Sequence, residues 1–197
     1  ATIGGFAKSI QKKYGDRERT IRNANIIVDE VHRLEHILTN VLDFTKSGAP
    51  QKTTGDVNEL IRKTLNIIEA NIFSKGVVVV LDLADGRLEA EYDETQIKQV
   101  VINLVQNAIN AMPEGGAIEI RTVDRDSEVC IEIHDTGVGI SQQYMENIFE
   151  PFFTTRGNGT GLGLSISNRI VQNHGGKLEI SSKEGSGTTV SILMPKR

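Results

Sequence analysis

Asn103 and Asn107 stand four residues apart in the otherwise apolar stretch "NLVQNAINAM". Asparagine is a mediocre helix former because its amide competes for backbone hydrogen bonds. At i and i+4 both carboxamides project from one side of a helix, while Val101, Leu104 and Ile109 can face the core. A neutral amide oxygen suits Mg2+, which takes hard oxygen ligands, few of them from protein and the rest from water and phosphate. A helix cap or a buried amide pair would use the same residues, so the asparagines alone decide nothing. Further on, "HDTGVGI" ends an alternating run with Asp135, whose carboxylate can accept a hydrogen bond from an exocyclic amine such as that of adenine. Gly137 and Gly139 let backbone approach a flat ring with no Cβ in the way, although Asp-Thr-Gly also suits a plain turn. "GNGTGLGLSI" then sets Gly157, Gly159, Gly161 and Gly163 just before a helical run. Such backbone presents N–H donors and the positive end of the helix dipole to phosphate, a flexible loop being the alternative. The run lacks the Gly-Lys-Ser/Thr of a Walker loop, and it is not a Rossmann fingerprint opening the chain.

The elements that position these residues can be read from composition and period. The 197 residues are 38% hydrophobic and 24% charged, an ordinary globular balance that excludes wholesale disorder. The net charge of −4 comes without a basic arm or stripe, which excludes a nucleic-acid partner on electrostatic grounds. Cys130, the one cysteine, lies in the alternating "EVCIEIH" and reads as a small core side chain. It cannot form an internal disulfide, which fits a reducing compartment. No apolar stretch approaches the length that spans a bilayer, and "ATIGGFAKSI" lacks the charged start and long apolar run of a signal peptide. A cytoplasmic segment without direct membrane contact is expected.

At the N-terminus Ile27, Val31, Leu34, Leu38 and Val41 alternate by four and three residues, the seam of a coiled coil or bundle. Ile3, Phe6, Ile10 and Tyr14 make a shorter stripe before it, with "YGDRER" supplying the turn. This reads as a helical hairpin over residues 1–48. It cannot bury both seams alone, so a second copy is expected as partner, packing on its own domain being the alternative. Residues 49–56, within "TKSGAPQKTTGD", read as a linker. Residues 57–197 read as one domain of helix (Val57 to Phe73), strands ("VVVVLDLA", "RLEAEYD"), helix (Thr95 to Met112), a hairpin ("AIEIRTV", "EVCIEIHD"), a helix ending near "HGG", and two closing strands. The class is α+β, a mixed sheet with helices on one face.

In order, the chain carries "NLVQNA", "DTGVGI", "IFEPFFTTR", "GNGTGLGLSI" and "GSGTTVSILMP". These resemble the asparagine box, first glycine box, phenylalanine box, second glycine box and terminal glycine segment of bacterial sensor histidine kinases. Their ATP-binding fold is similar to that of gyrase, Hsp90 and the mismatch-repair ATPases. The resemblance covers Val57 to Arg197, and the hairpin resembles the dimerisation and phosphotransfer element that precedes this domain. It implies ATP or ADP with Mg2+ as cofactors, Asn107 as the metal ligand and Asn103 near the phosphates. It also implies Asp135 as the adenine-reading acid, a pocket shaped by Gly137, Gly139 and Ile140, and a second adenine contact from Thr188. Phe149 to Gly163 would be the ATP lid, anchored by Phe149, Phe152 and Phe153. Gly161 and Gly163 would let the lid backbone fold over the phosphates, with Gly159, Thr160, Leu162 and Leu164 also implied at the nucleotide. Where many members have a basic residue, three positions after Asn107, this chain has Asn110, so phosphate charge falls to Mg2+ and Arg156.

The hydrolytic relatives resembling gyrase carry glutamate at the position of Asn103, as a general base for water. An asparagine cannot take that proton, which implies transfer of the γ-phosphoryl group rather than rapid hydrolysis. The acceptor histidine of the resemblance, followed by an acid, would fall just before Ala1, so the chain is expected to be a fragment that does not label itself. His32 is followed by Arg33 and His36 by Ile37, so neither has the acid after it; His134 alternates outward on a strand, and His174 in "QNHGG" reads as a helix C-cap. The partners implied are a second copy through the hairpin and a response-regulator receiver domain. A nucleotide-binding scaffold without transferase activity is the alternative for this form.

Overall fold

The structure, a computed structural model, describes residues 18, 20–28, 30, 31, 34, 49–155 and 159–196. The chain divides into two compact units, Ala1–Ser47 and Gly48–Arg197. In the first, residues 20–28 are helical, and of the expected seam Val31 and Leu34 are exposed in the single chain. Leu38 and Val41, and the earlier stripe from Ile3 to Tyr14, lie outside the described residues.

The second unit runs β1 (Thr53–Asp56), α1 (Val57–Ser74), β2 (Val77–Asp82), β3 (Glu89–Tyr92), α2 (Glu94–Asn110), β4 (Gly116–Asp124), β5 (Glu128–Asp135), α3 (Gly163–Asn173), β6 (Lys177–Ser182) and β7 (Thr188–Pro195). Five strands form one mixed sheet in the order β2-β4-β5-β7-β6, antiparallel except for the β2–β4 pair. A parallel pair needs a crossover, and here β3 and α2 supply it. Alternation assigns the two faces: Ile118 and Ile120 of β4, Ile131 and Ile133 of β5, and Val190 and Ile192 of β7 join the helices' apolar residues in one core. Leu60 and Ile61 of α1, and Val101, Leu104 and Val105 of α2, meet them there. The opposite face carries polar pairs, Arg121 bridging to Asp82 at 3.1 Å and His134 Nδ1 3.0 Å from Thr189 Oγ1, with Val78 and Val80 of the edge strand β2 exposed beside them.

The expected linker ends early. Residues 53–56 form strand β1, paired antiparallel with β3. The Asp56 carboxylate explains why: it accepts hydrogen bonds from the N–H groups of Asn58 (2.9 Å) and Leu88 (3.2 Å). One side chain thus caps α1 and holds the approach to β3 beside it. Asp93 caps α2 in the same way, accepting from Thr95 and Gln96 at 3.1 Å each, and its other oxygen accepts from the Gln51 N–H at 3.0 Å.

His174 closes α3 as the C-cap that its place before Gly-Gly suggested, and it does more. Its Nδ1 lies 2.8 Å from the Ile170 carbonyl, and its Nε2 accepts the Asp93 N–H at 3.0 Å. These partners fix the neutral tautomer with the proton on Nδ1. The ring is 1% exposed, and burial holds its pKa below the ordinary 6.5; the Ile170 carbonyl and Asp93 raise it, and Lys52 adds to the lowering. A depressed folded pKa means that this contribution to stability is complete above pH 6.5 and is lost as pH falls through the folded value. In urea unfolding, His174→Gln should destabilise the protein by about 1–3 kcal/mol at pH 7.5. It should also flatten the decline in stability between about pH 7.5 and 5.5 relative to the parent.

Candidate functional site

The first half of the site is a row across three strands. Asp135, the last residue of β5, pairs with Thr188, the first of β7, which pairs in turn with Ser182, the last of β6. Asp135 and Thr188 are 5% and 7% exposed. The Asp135 Oδ1 accepts the Gly137 N–H at 2.9 Å, an Asx turn that folds the following loop back over the carboxylate. Ser182 Oγ accepts the Ile140 N–H at 2.8 Å, donates to the Gly187 carbonyl at 2.9 Å and lies 2.9 Å from Thr188 Oγ1. The loop carrying Gly137, Gly139 and Ile140 is thereby fastened to the sheet end on both sides. The end of α2 closes the third side, the Val138 N–H donating to the Ala111 carbonyl at 3.1 Å. Gly137 sits in that narrow angle, where a Cβ would come within 2.7 Å of Ala111 Cβ and 2.8 Å of Asp135 Oδ1.

The second half is built by α2 and α3. Asn103 and Asn107 are half-buried on α2, and the Asn103 Nδ2 donates to Ser167 Oγ on α3 at 2.9 Å. Gly163, the first residue of α3, lies against the same carboxamide, so close that a Cβ would overlap Asn103 Oδ1. Asn110 is exposed and accepts from Gln106 Nε2 at 3.3 Å. Whereas α1 and α2 have aspartate caps, α3 opens at buried Leu162 without a side-chain cap. Its start is the end of the glycine-rich loop, as the sequence placed it.

In the chain between the Asp135 loop and α3 come residues 149–155 and 159–162. Phe149 packs on the core, and Phe153 stacks at a tilt on Tyr144 with ring centroids 5.9 Å apart. Phe152, expected as a third anchor, is 68% exposed. Its φ of 68° turns the side chain outward, and its N–H donates to the Gly161 carbonyl at 3.0 Å. Thr160 Oγ1 accepts the Leu162 N–H at 3.4 Å, and Gly159 and Leu164 lie on either side of this turn. Arg156 and Gly157 lie outside the described residues.

Among the described residues no group of three or more histidine, cysteine or acidic side chains could cage a metal ion. The donors near α3 are amide oxygens. That set fits Mg2+ held chiefly by phosphate and water, with a single protein ligand or two. Two residues of the constellation escaped the sequence reading, Ser167 and Ser182. Each is a serine at an inward position of an apolar pattern, which was the available signal.

Residues 92–197 match the family described as histidine kinase-, DNA gyrase B- and HSP90-like ATPase. The chain belongs to this family. Its histidine kinase branch is marked by the relatives. The chain is 33% identical to Sporulation kinase C of Bacillus subtilis (strain 168) over 98% of its own length and 45% of that protein's. It superposes on the catalytic domain of histidine kinase ThkA with a TM-score of 0.69 and 39% identity, covering 74% of this chain and 96% of that domain. With histidine kinase ThkA in complex with the response regulator protein TrrA, the TM-score is 0.85 at 36% identity, over 99% of this chain and 57% of the other. The chain therefore carries the nucleotide-binding catalytic domain of the histidine kinases, and it spans less than half the length of the curated relatives it matches. No helix among the described residues is long and apolar enough to cross a membrane.

Gly137→Ala tests the close approach at the kinase domain's strand end. The added Cβ has only backbone, the Ala111 methyl and the Asp135 carboxylate to displace. Urea unfolding should show a loss of about 1–3 kcal/mol, the usual range for overpacking a tight site.

Proposed function

We propose that this domain binds ATP with Mg2+ between the Asp135–Thr188 row and the α2–α3 pair, and transfers the γ-phosphoryl group to a histidine for relay to a response-regulator aspartate. Adenine would meet the buried strand end, its exocyclic amine donating to Asp135 with Thr188 beside it. Gly137, Gly139 and Ile140 would pass their backbone along the ring. The phosphates would lie at the start of α3, with Gly159, Thr160, Gly161, Gly163 and Leu164 beneath them and Phe153 and Arg156 on the loop that covers them. Asn107 would hold Mg2+, with Asn103 and Asn110 on the same helix alongside; the ion supplies charge neutralisation on the phosphoryl oxygens.

The observation that carries this reading is the uncapped start of α3 beside Asn103. The other two helices of this unit, α1 and α2, each begin at an aspartate N-cap, and an aspartate at α3 would repel phosphate. Asn103 offers no carboxylate to activate water, so the site acts by positioning and electrostatics on a phosphoryl acceptor rather than by driving hydrolysis. The hairpin over residues 1–48 would supply the homodimer, a use supported by the exposure of Val31 and Leu34 in the single chain. A receiver domain is the second partner, by analogy with the ThkA complex.

Two measurements test the reading in order. By calorimetry, Asp135→Asn should weaken Mg2+–ADP binding about ten- to a hundredfold, the worth of a charge-assisted hydrogen bond of roughly 1.5–3 kcal/mol. The chain should then be incubated with γ-labelled ATP and an N-terminally extended form that bears an acceptor histidine and is made nucleotide-blind by Asn107→Asp. The extended partner should gain acid-labile phosphate. An ATP-bound chain that leaves the partner unlabelled would favour a scaffold role.

A further inference from the structure

Ser167 is 2% exposed, lies on the inner face of α3 one turn after Gly163, and takes the Asn103 Nδ2 at 2.9 Å. Gly163 and Ser167 are four apart, so they share a face of the helix. The Asn103 carboxamide lies along that face, its nitrogen at Ser167 and its oxygen where a Cβ at residue 163 would stand. A methyl group at either end would change the fit in opposite ways. At 163 it would collide, and at 167 in place of the hydroxyl it would leave the amide without its partner.

We propose that Ser167 is a positioning residue for the phosphate side of the site: it holds the Asn103 carboxamide on α3, so that the amide moves with the helix onto which the glycine-rich loop leads. The inference rests on the nucleotide reading above. A carboxamide on two rotatable bonds can turn about Cβ–Cγ almost freely when nothing takes its nitrogen. With the nitrogen held, the oxygen keeps one direction, toward the start of α3. The arrangement makes the orientation of an α2 side chain depend on α3. It also explains a buried serine at a position where the apolar pattern of "SISNRIV" would accept a hydrophobic residue.

The test is calorimetric titration of the 197-residue chain and its variants with Mg2+–ADP and, separately, with adenosine, which has no phosphate. Ser167→Ala should bind Mg2+–ADP about three- to tenfold more weakly, the range for one neutral hydrogen bond, and adenosine as before. Ser167→Thr keeps the hydroxyl and should retain parental affinity; Ser167→Val, its isostere without the hydroxyl, should lose as much as alanine. In an Asn103→Ala background Ser167→Ala should add nothing, because the partner it positions is gone. Unchanged Mg2+–ADP affinity in Ser167→Ala would overturn the proposal. So would an equal loss for adenosine, or an equal loss in the Asn103→Ala background. Melting curves without nucleotide identify any threonine or valine variant that fails to fold, and the alanine arms then carry the test. A parent chain that binds no Mg2+–ADP would instead overturn the nucleotide reading itself.

Discussion

A carboxyl group buried at the end of a strand must be given hydrogen-bond donors, and the loop after β5 is folded to meet that demand for Asp135. Burying a polar group without partners costs several kcal/mol. Here the Gly137 N–H turns back onto it at 2.9 Å, and the strand register places Thr188 directly beside it. The turn leaves no space for a side chain at 137, and the loop it starts is stitched to Ser182 at its far end.

The helices are fastened by a second set of polar contacts that converge on one place. Asp93 caps α2, its backbone N–H ends on His174 of α3, and its carboxylate also holds Gln51. Lys52 donates to the His174 carbonyl at 2.9 Å. The first turn of α2, the last turn of α3 and the segment leading into the unit are therefore tied together. Midway along both helices, Asn103 and Ser167 add a second link.

Much of this was legible in the residues. Strict alternation in "AIEIRTV" and "EVCIEIHD" marked β4 and β5, and Asn103, Asn107, Asp135 and the glycines stood out as candidates because their types are poor choices for a plain core. Strand β1 was hidden: Gly, Pro, Ser and Thr before it read as a linker, and the pairing with β3 depends on an Asp56 contact 32 positions away. Ser167 and Ser182 were silent for the same reason, since the importance of each comes from a residue on another element. Phe152 misled in the opposite direction. An aromatic residue beside two packed phenylalanines looks like core, but backbone in the left-handed region points it outward.

In the proposed function the sheet end at Asp135 receives the base while the start of α3 receives the phosphates. A crystal structure of the 197-residue chain grown with ADP and Mg2+ tests both at once. The adenine amine is expected within about 3 Å of an Asp135 oxygen, a usual hydrogen-bond distance, and the β-phosphate against the backbone N–H groups at Gly163 and Leu164. A base bound away from Asp135, or phosphates lying on the polar face of the sheet, would contradict it.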